Sequence, residues 1–334
     1  MKNIFYIIVC LYLGLISFNA SAQDIHFSQF INCSQQFNPA LTGQFDQMMK
    51  GTILHRRQWR GIGSGYTTSG FDAQYKLLSL YNENYLGFGL LVLQDEAGKA
   101  ELKTFGVKGS VAFHLASSRN DLLSAGAMIG YEQRSINFDG LTWDSQYNGV
   151  NYDPTLDDKE RFITNKRGFV DVGAGFQWKH KGKNKLALGY AVYHAGQQIT
   201  MVARGDDKMR LRHVLHGSLS KRYDHIDMKY DLLFNRQSGA NEIIFGTTVD
   251  YRLGDDSRYT NVKTSSVIRA GFYHRFRDAV HPFVGFEYKK FAGISIGYDL
   301  RTRKMPVVTS RPGGIELAIT YLGLPNRKRM KVIH

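Results

Sequence analysis

Alternation of apolar and polar positions is the dominant signal along this chain. Between residues 170 and 179, Val170, Val172, Ala174, Phe176 and Trp178 fall on one face, and Asp171, Gly173, Gly175, Gln177 and Lys179 on the other. The same period of two recurs over 186–192, 226–234, 243–252, 292–300 and 315–321, as it must where successive side chains of a strand point to opposite faces. There are about fourteen such runs of about 9 to 13 residues, long enough to cross a bilayer obliquely, whereas soluble strands average nearer 5 or 6. Tyr190, Tyr251, Tyr298 and Tyr321 stand near run ends, where an interfacial girdle needs rings. The pattern predicts an all-β transmembrane antiparallel barrel over 49–322, with apolar side chains toward lipid and glycines and charges toward a wet lumen.

An even strand count places both ends of the wall, and the amino terminus, in the periplasm. Loop lengths support this by parity. Segments 138–166, 195–210 and 301–312 are long and follow odd-numbered strands, so they are external; the turns at 181–183 and 223–224 are tight and periplasmic. Segment 254–264 is long, and 236–240 and 277–280 are short, for this scheme, which leaves a twelve-stranded count open.

Residues 1–22 read as a signal peptide. Lys2 precedes an apolar stretch from Ile4 to Phe18, and Ala20-Ser21-Ala22 supplies the small-x-small cleavage pattern, so the mature chain is expected to start at Gln23. Composition agrees with an exported barrel: 34 glycines against 6 prolines, and 21 phenylalanines and 19 tyrosines against 3 tryptophans. A mean hydropathy of −0.31 excludes a helical membrane bundle. Cys10 leaves with the signal, so Cys33 has no partner for an internal disulfide or a cysteine metal site. The net charge of +14 is spread along the strands and a tail, 323–334, that carries Arg327, Lys328, Arg329 and Lys331; together with export, that spread argues against nucleic acid as a partner. Inward positions carry both signs, among them Asp171, Asp227, Arg269, Arg275, Asp299 and Glu316, which predicts a lattice of ion pairs across the wall.

Catalytic chemistry is thin. His213 and His216 would face opposite sides of one strand and cannot share a metal. The glycine-rich run 61–65 lacks the lysine of a phosphate loop. Asp153, Asp157, Asp158 and Glu160 do not have the spacing of a calcium loop, and no histidine lies between 115 and 179 to complete a triad with Ser135 or Ser145. The expectation is a non-enzymatic barrel with no catalytic, cofactor or metal site.

The segment 23–48 differs from the strands. Gln23-Asp24-Ile25-His26-Phe27-Ser28-Gln29-Phe30 is followed by Asn38-Pro39-Ala40-Leu41-Thr42-Gly43. This pair of blocks resembles the start of mature PorP/SprF proteins of the type IX secretion and gliding system of Bacteroidetes, in which a QDxxFSQ(Y/F) block precedes an NPAxxG block. Arg56 and Arg57 with Trp59, and the closing Gly314-Ile315-Glu316-Leu317 run, extend the likeness loosely down the chain; the basic tail departs from it. The resemblance implies a component of the Gram-negative outer membrane that supports secretion or surface attachment of cargo such as large adhesins. Implied partners are type IX components, the C-terminal domain of a cargo adhesin, a periplasmic peptidoglycan-binding lipoprotein and outer-membrane lipid. The alternative is an outer-membrane porin or hydrophobic-solute channel, although inward charges of both signs argue against a strongly ion-selective pore and a greasy conduit for fatty acids. Within 23–48, Phe27, Ser28, Gln29, Phe30, the Asn38-Pro39 turn and Gly43 are expected to plug or strap the barrel or to contact a partner. In the long external loops, Trp143, Tyr147, Tyr152, Arg161, Arg204 and Arg303 mix rings with charge and are expected to face cargo.

Overall fold

A computed structural model describes residues 24–59, 65–78, 84–98, 101–137, 144–153, 155–156, 166–196, 209–254, 265–302 and 313–323. Residues 1–22, read above as a signal peptide, Gln23 and the tail beyond Gly323 lie outside the described residues. Fourteen strands form the wall: β1 (Met49–Gln58), β2 (Tyr66–Leu78), β3 (Tyr85–Ala97), β4 (Leu102–Ala116), β5 (Asp121–Ser135), β6 (Lys166–His180), β7 (Asn184–Tyr193), β8 (Arg212–Tyr223), β9 (Ile226–Gln237), β10 (Ala240–Leu253), β11 (Ser266–Arg275), β12 (Ala279–Tyr288), β13 (Ala292–Arg301) and β14 (Gly314–Gly323). Each is antiparallel to its sequence neighbours, and β1 closes against β14 from Met49 opposite Gly323 to Gln58 opposite Gly314. Closure pairs the edges that an open sheet would leave bare, which the hydrocarbon core of a membrane does not tolerate. The wall therefore has fourteen strands, not twelve, and runs one residue past the expected end.

The faces follow the alternation. On β6, Val170 and Phe176 are 49% and 50% exposed, while Asp171 and Gln177 between them are 2% and 3% exposed. Outward rows on every strand, such as Ile53, Phe71, Phe88 and Ile129, present a continuous apolar belt of the kind that lipid covers. The wall is uneven in height: β4, β5 and β6 have 15 residues each, β11 to β14 only 10. Connections at the end where β1 starts are short at Lys181–Lys183 and Asp224–His225, though not at 254–265 between β10 and β11, and the length rule makes this the periplasmic end. The opposite end carries the long segments but also a two-residue hairpin at Ser238-Gly239, whose positive φ angles of 50° and 85° match the twist of paired strands.

Two expectations change. First, the lumen is not simply polar and wet. Leu54, Leu91, Val214, Leu233, Ile244 and Tyr273 all point inward and are fully buried. Second, the first described residues do not lie at the end where β1 starts. Residues 24–48 lie inside the ring of strands, folded as three short 3-10 turns at Phe30–Asn32, Ser34–Gln36 and Pro39–Leu41. Asp24 sits beside His194 and Gln237, at the external ends of β7 and β9, and the segment descends to meet β1 at Met49. The carboxylate of Asp24 finds its cationic partners only at that upper level, which fixes the direction of travel.

Surface labelling tests the orientation. In a Cys33→Ser background, a cysteine at Asn148 should react with a membrane-impermeant maleimide on intact cells; reaction only after permeabilisation would turn the barrel over.

Candidate functional site

The site is the seat of the amino-terminal segment. At its upper end, Asp24 Oδ2 is 2.5 Å from Nε2 of His194, whose Nδ1 is 2.8 Å from Asp171 Oδ1. Lys108 reaches the same Asp171 at 2.9 Å and Glu132 at 2.5 Å, and Arg212 lies 3.5 Å from Asp24, so anions and cations alternate through the cluster. Burial would drive the His194 ring toward the neutral form, but the carboxylates of Asp24 and Asp171 on either side raise its pKa to about 9. Burial opposes ionisation of Asp24 as well; His194, Arg212 and Lys108 overcome it and hold the carboxyl well below the usual range. His26 goes the other way. Burial and the neighbouring Arg275 and Arg56 lower its pKa, although Glu242 opposes them, and its Nε2 accepts from Arg275 at 2.6 Å.

One turn lower, the wall grips the backbone. Glu316 on β14 accepts from the consecutive amides of Ser28 (2.7 Å) and Gln29 (2.9 Å). The Ser28 hydroxyl donates to Asp299 on β13 at 2.8 Å, and Arg56 of β1 donates to the same carboxylate at 2.7 Å. A carboxylate facing two adjacent amides is a charge-assisted clamp, stronger than a neutral pair. Apolar anchors follow. Phe27 is fully buried in a cluster with Leu54, Leu91 and Leu93, and Phe30 packs edge-on against Phe37 and Tyr273 at 5.2 and 5.3 Å. Cys33 lies in the Phe27 cluster, where burial pushes its thiol well above the usual range and leaves it inert.

The lower half of the segment touches the wall directly. Asn38 caps the Pro39–Leu41 turn through Ala40 N (2.9 Å), and its amide nitrogen contacts His216 Nε2 (2.8 Å) and donates to the Phe176 carbonyl (3.1 Å). Pro39 occupies the first position of that turn, where its missing N–H costs nothing. A Cβ at Gly126 would lie 2.5 Å from the Pro39 carbonyl carbon, so the wall glycine is what lets the turn approach. Gly43, at φ +79°, reverses the chain against Gly87, and its amide donates to Gln74 at 2.9 Å. Phe27, Ser28, Gln29, Phe30, Asn38, Pro39 and Gly43 are thus brought together in one interface. Glu316, Asp299 and Asp171 stood out in the sequence only as lattice charges. His194 and His281 stood out not at all, and His216 only as half of a rejected metal pair, because nothing in a strand marks which inward residue will meet the segment.

The external loop is less completely described. Tyr147 and Tyr152 are joined by an isolated bridge with ring centroids 5.3 Å apart, both about half exposed, at the base of a turn whose tip, Val150, is 88% exposed. Trp143, Arg161, Arg204 and Arg303 lie outside the described residues, as do Asp157, Asp158 and Glu160. Asp153 caps Thr155 at 2.9 Å, and no group of three metal-ligating side chains occurs among the described residues. His213 and His216 do face opposite ways: His213 meets the Tyr190 hydroxyl on the outer face at 2.8 Å.

Two measurements check this seat. Gly126→Val should push the Pro39 turn off the wall at a cost of about 1–3 kcal/mol, lowering the temperature of heat-modifiable gel migration and exposing residues 24–48 to protease. Wild-type behaviour would mean that the turn does not touch β5. Because the folded pKa of His194 is raised, its contribution is complete below the free value of 6.5 and fades as pH rises to about 9. Protease access to the segment should therefore increase across that interval, and His194→Gln should abolish the dependence.

Comparison with solved structures places the fold among outer-membrane channels. The Ralstonia pickettii toluene transporter TbuX superposes with a TM-score of 0.52 at 11% identity, covering 90% of this chain and 95% of that one. The CymD monoaromatic hydrocarbon channel gives 0.51 at 12% identity, with 92% and 94% covered. At these identities the likeness speaks for the barrel alone. No curated protein matches the sequence. The profile of one family, described as type IX secretion system membrane protein PorP/SprF, matches residues 19–321. That match spans both amino-terminal blocks and every strand of the wall, and this outer-membrane barrel belongs to the PorP/SprF family of type IX secretion membrane proteins.

Proposed function

We propose that this barrel holds or passes a type IX cargo at the cell surface, without enzymatic chemistry, while residues 24–48 keep its lumen closed to solutes. The family supplies the system. The observation that carries the rest is the density of bonds between the segment and the wall, from Glu316 and Asp299 on β14 and β13 to His216 on β8 and Gln74 on β2. A barrel built to pass small solutes has little use for an interior held by both a charge lattice and an apolar core. The exposed Tyr147–Tyr152 pair suits protein contact, since tyrosines supply large contact area at low entropic cost. Trp143, Arg161, Arg204 and Arg303 belong to the same external set. The cargo reading takes the C-terminal domain of a large adhesin as the occupant of these loops, and a periplasmic peptidoglycan-binding lipoprotein as the partner below.

A hydrophobic-solute channel is the second reading. It is favoured by the fold shared with the toluene transporter and the monoaromatic hydrocarbon channel, and by the apolar cluster around Phe30, Tyr273 and Phe283 inside the lumen.

Gene deletion followed by surface proteomics separates the readings. Loss of one large adhesin with other cargo retained supports a cargo-specific role, and loss of all type IX cargo supports a core role; no loss rejects the secretion reading. In planar bilayers the purified barrel should be closed and should conduct once residues 24–48 are deleted. A steady wild-type conductance, or toluene uptake into liposomes, would favour the channel.

A further inference from the structure

Below the amino-terminal segment the lumen opens toward the periplasm as two cavities, of about 410 and 330 Å³. They share Ile31, Phe45, Lys50 and Lys229 as lining, so together they form one elongated vestibule between the segment and the wall. The charged lining of the smaller cavity is four lysines, Lys50, Lys179, Lys185 and Lys229, against one carboxylate, Asp231. Other inward cations are matched, some of them in the larger cavity itself: Lys108 with Glu132 and Asp171, Arg56 with Asp299, Arg269 with Asp250, Arg275 with Asp278. Among the described residues no carboxylate lies within 4.0 Å of the ammonium nitrogen of any of the four vestibule lysines. Lys179 makes a single long contact, 3.3 Å to the Gln44 amide oxygen.

We propose that this vestibule receives an acidic peptide segment of a periplasmic protein. Four ammonium groups converge in a cavity with protein walls, where their field is focused rather than dispersed into water. Mutual repulsion makes the empty cluster unfavourable, and carboxylates relieve it. The other lining groups suit a peptide better than a small anion. Gln44, Gln177, Ser218 and Ser220 stand between the lysines and offer both donors and acceptors to a backbone, and Phe37 and Leu41 form an apolar floor. The elongated shape matches an extended chain. Because Gln44 and Phe45 belong to the amino-terminal segment, the bound peptide touches the segment and the wall at once.

The test uses the purified mature barrel in nanodiscs and a fluorescein-labelled oligoglutamate peptide, read by anisotropy at low and at high salt. Saturable binding that weakens with salt is expected. Lys179→Gln with Lys229→Gln should weaken it about tenfold or more, since each charge-assisted contact is worth about 1.5–3 kcal/mol. Lys183→Gln, in the exposed turn between β6 and β7, should leave it unchanged. Heat-modifiable migration of each variant confirms a folded barrel, and Lys185→Gln at the rim serves if the double variant does not assemble. Absence of saturable binding overturns the proposal, as does equal loss in Lys183→Gln, which would assign the affinity to diffuse surface charge. Displacement by inorganic phosphate at the same charge concentration also overturns it, because the site would then be one for small anions. Since only purified barrel is used, the result stands apart from which cargo is lost on gene deletion.

Discussion

Closure of the sheet is the constraint on which everything else here depends. A strand edge cannot be left unpaired in hydrocarbon, so β1 must find β14, and fourteen strands then enclose a space too wide for wall side chains to fill. That space can hold water or protein. In this chain it holds residues 24–48, and the wall is adapted to them at every level. Carboxylates meet backbone amides at Ser28 and Gln29, apolar side chains meet Phe27 and Phe30, and glycines give way to the Pro39 turn.

The two halves of the lumen interior obey different physics. Near the external end, paired charges surround Asp24 and His26, and each ion is worth keeping only because its neighbour is present. At mid-height the contacts are aromatic and aliphatic, with Phe30, Tyr273 and Phe283 stacked or edge-on. Toward the periplasm ion pairs such as Arg222 with Asp227 persist on one side, and lysines collect on the other. The interior is thus graded along the membrane normal, from balanced ions through an apolar band to a vestibule where cations outnumber carboxylates.

Much of this was legible in the sequence, and the reasons for the rest are particular. Period two identified the strands because lipid and lumen impose opposite chemistry on alternate positions, as Val170 and Asp171 show. The seat of the segment was hidden because it is built where that rule breaks. Leu90-Leu91-Val92-Leu93, Leu232-Leu233-Phe234 and Ile243-Ile244-Phe245 are apolar on both faces, and Leu91, Leu93, Leu233 and Ile244 are the buried inward members. Such runs look like ordinary hydrophobic strands unless the lumen is known to be occupied. The partnership of Glu316 with Ser28 joins residues 288 apart, and no local pattern carries it. The amino-terminal blocks pointed to the right segment, while the direction in which it threads depended on a histidine, His194, that sits just past a strand end.

The clamp on Ser28 and Gln29 also bears on the order of assembly. Its three charged groups come from β1, β13 and β14, the strands at and beside the seam, and Arg56 lies 2.7 Å from Asp299 and 3.8 Å from Glu316 across it. The first segment to be synthesised is held by the last strand to be made. Until β14 arrives, the amides of residues 28 and 29 lack their Glu316 acceptor and Arg56 has only Asp299 of β13 beside it. Zipping the seam and seating the segment are therefore coupled, each strengthening the other.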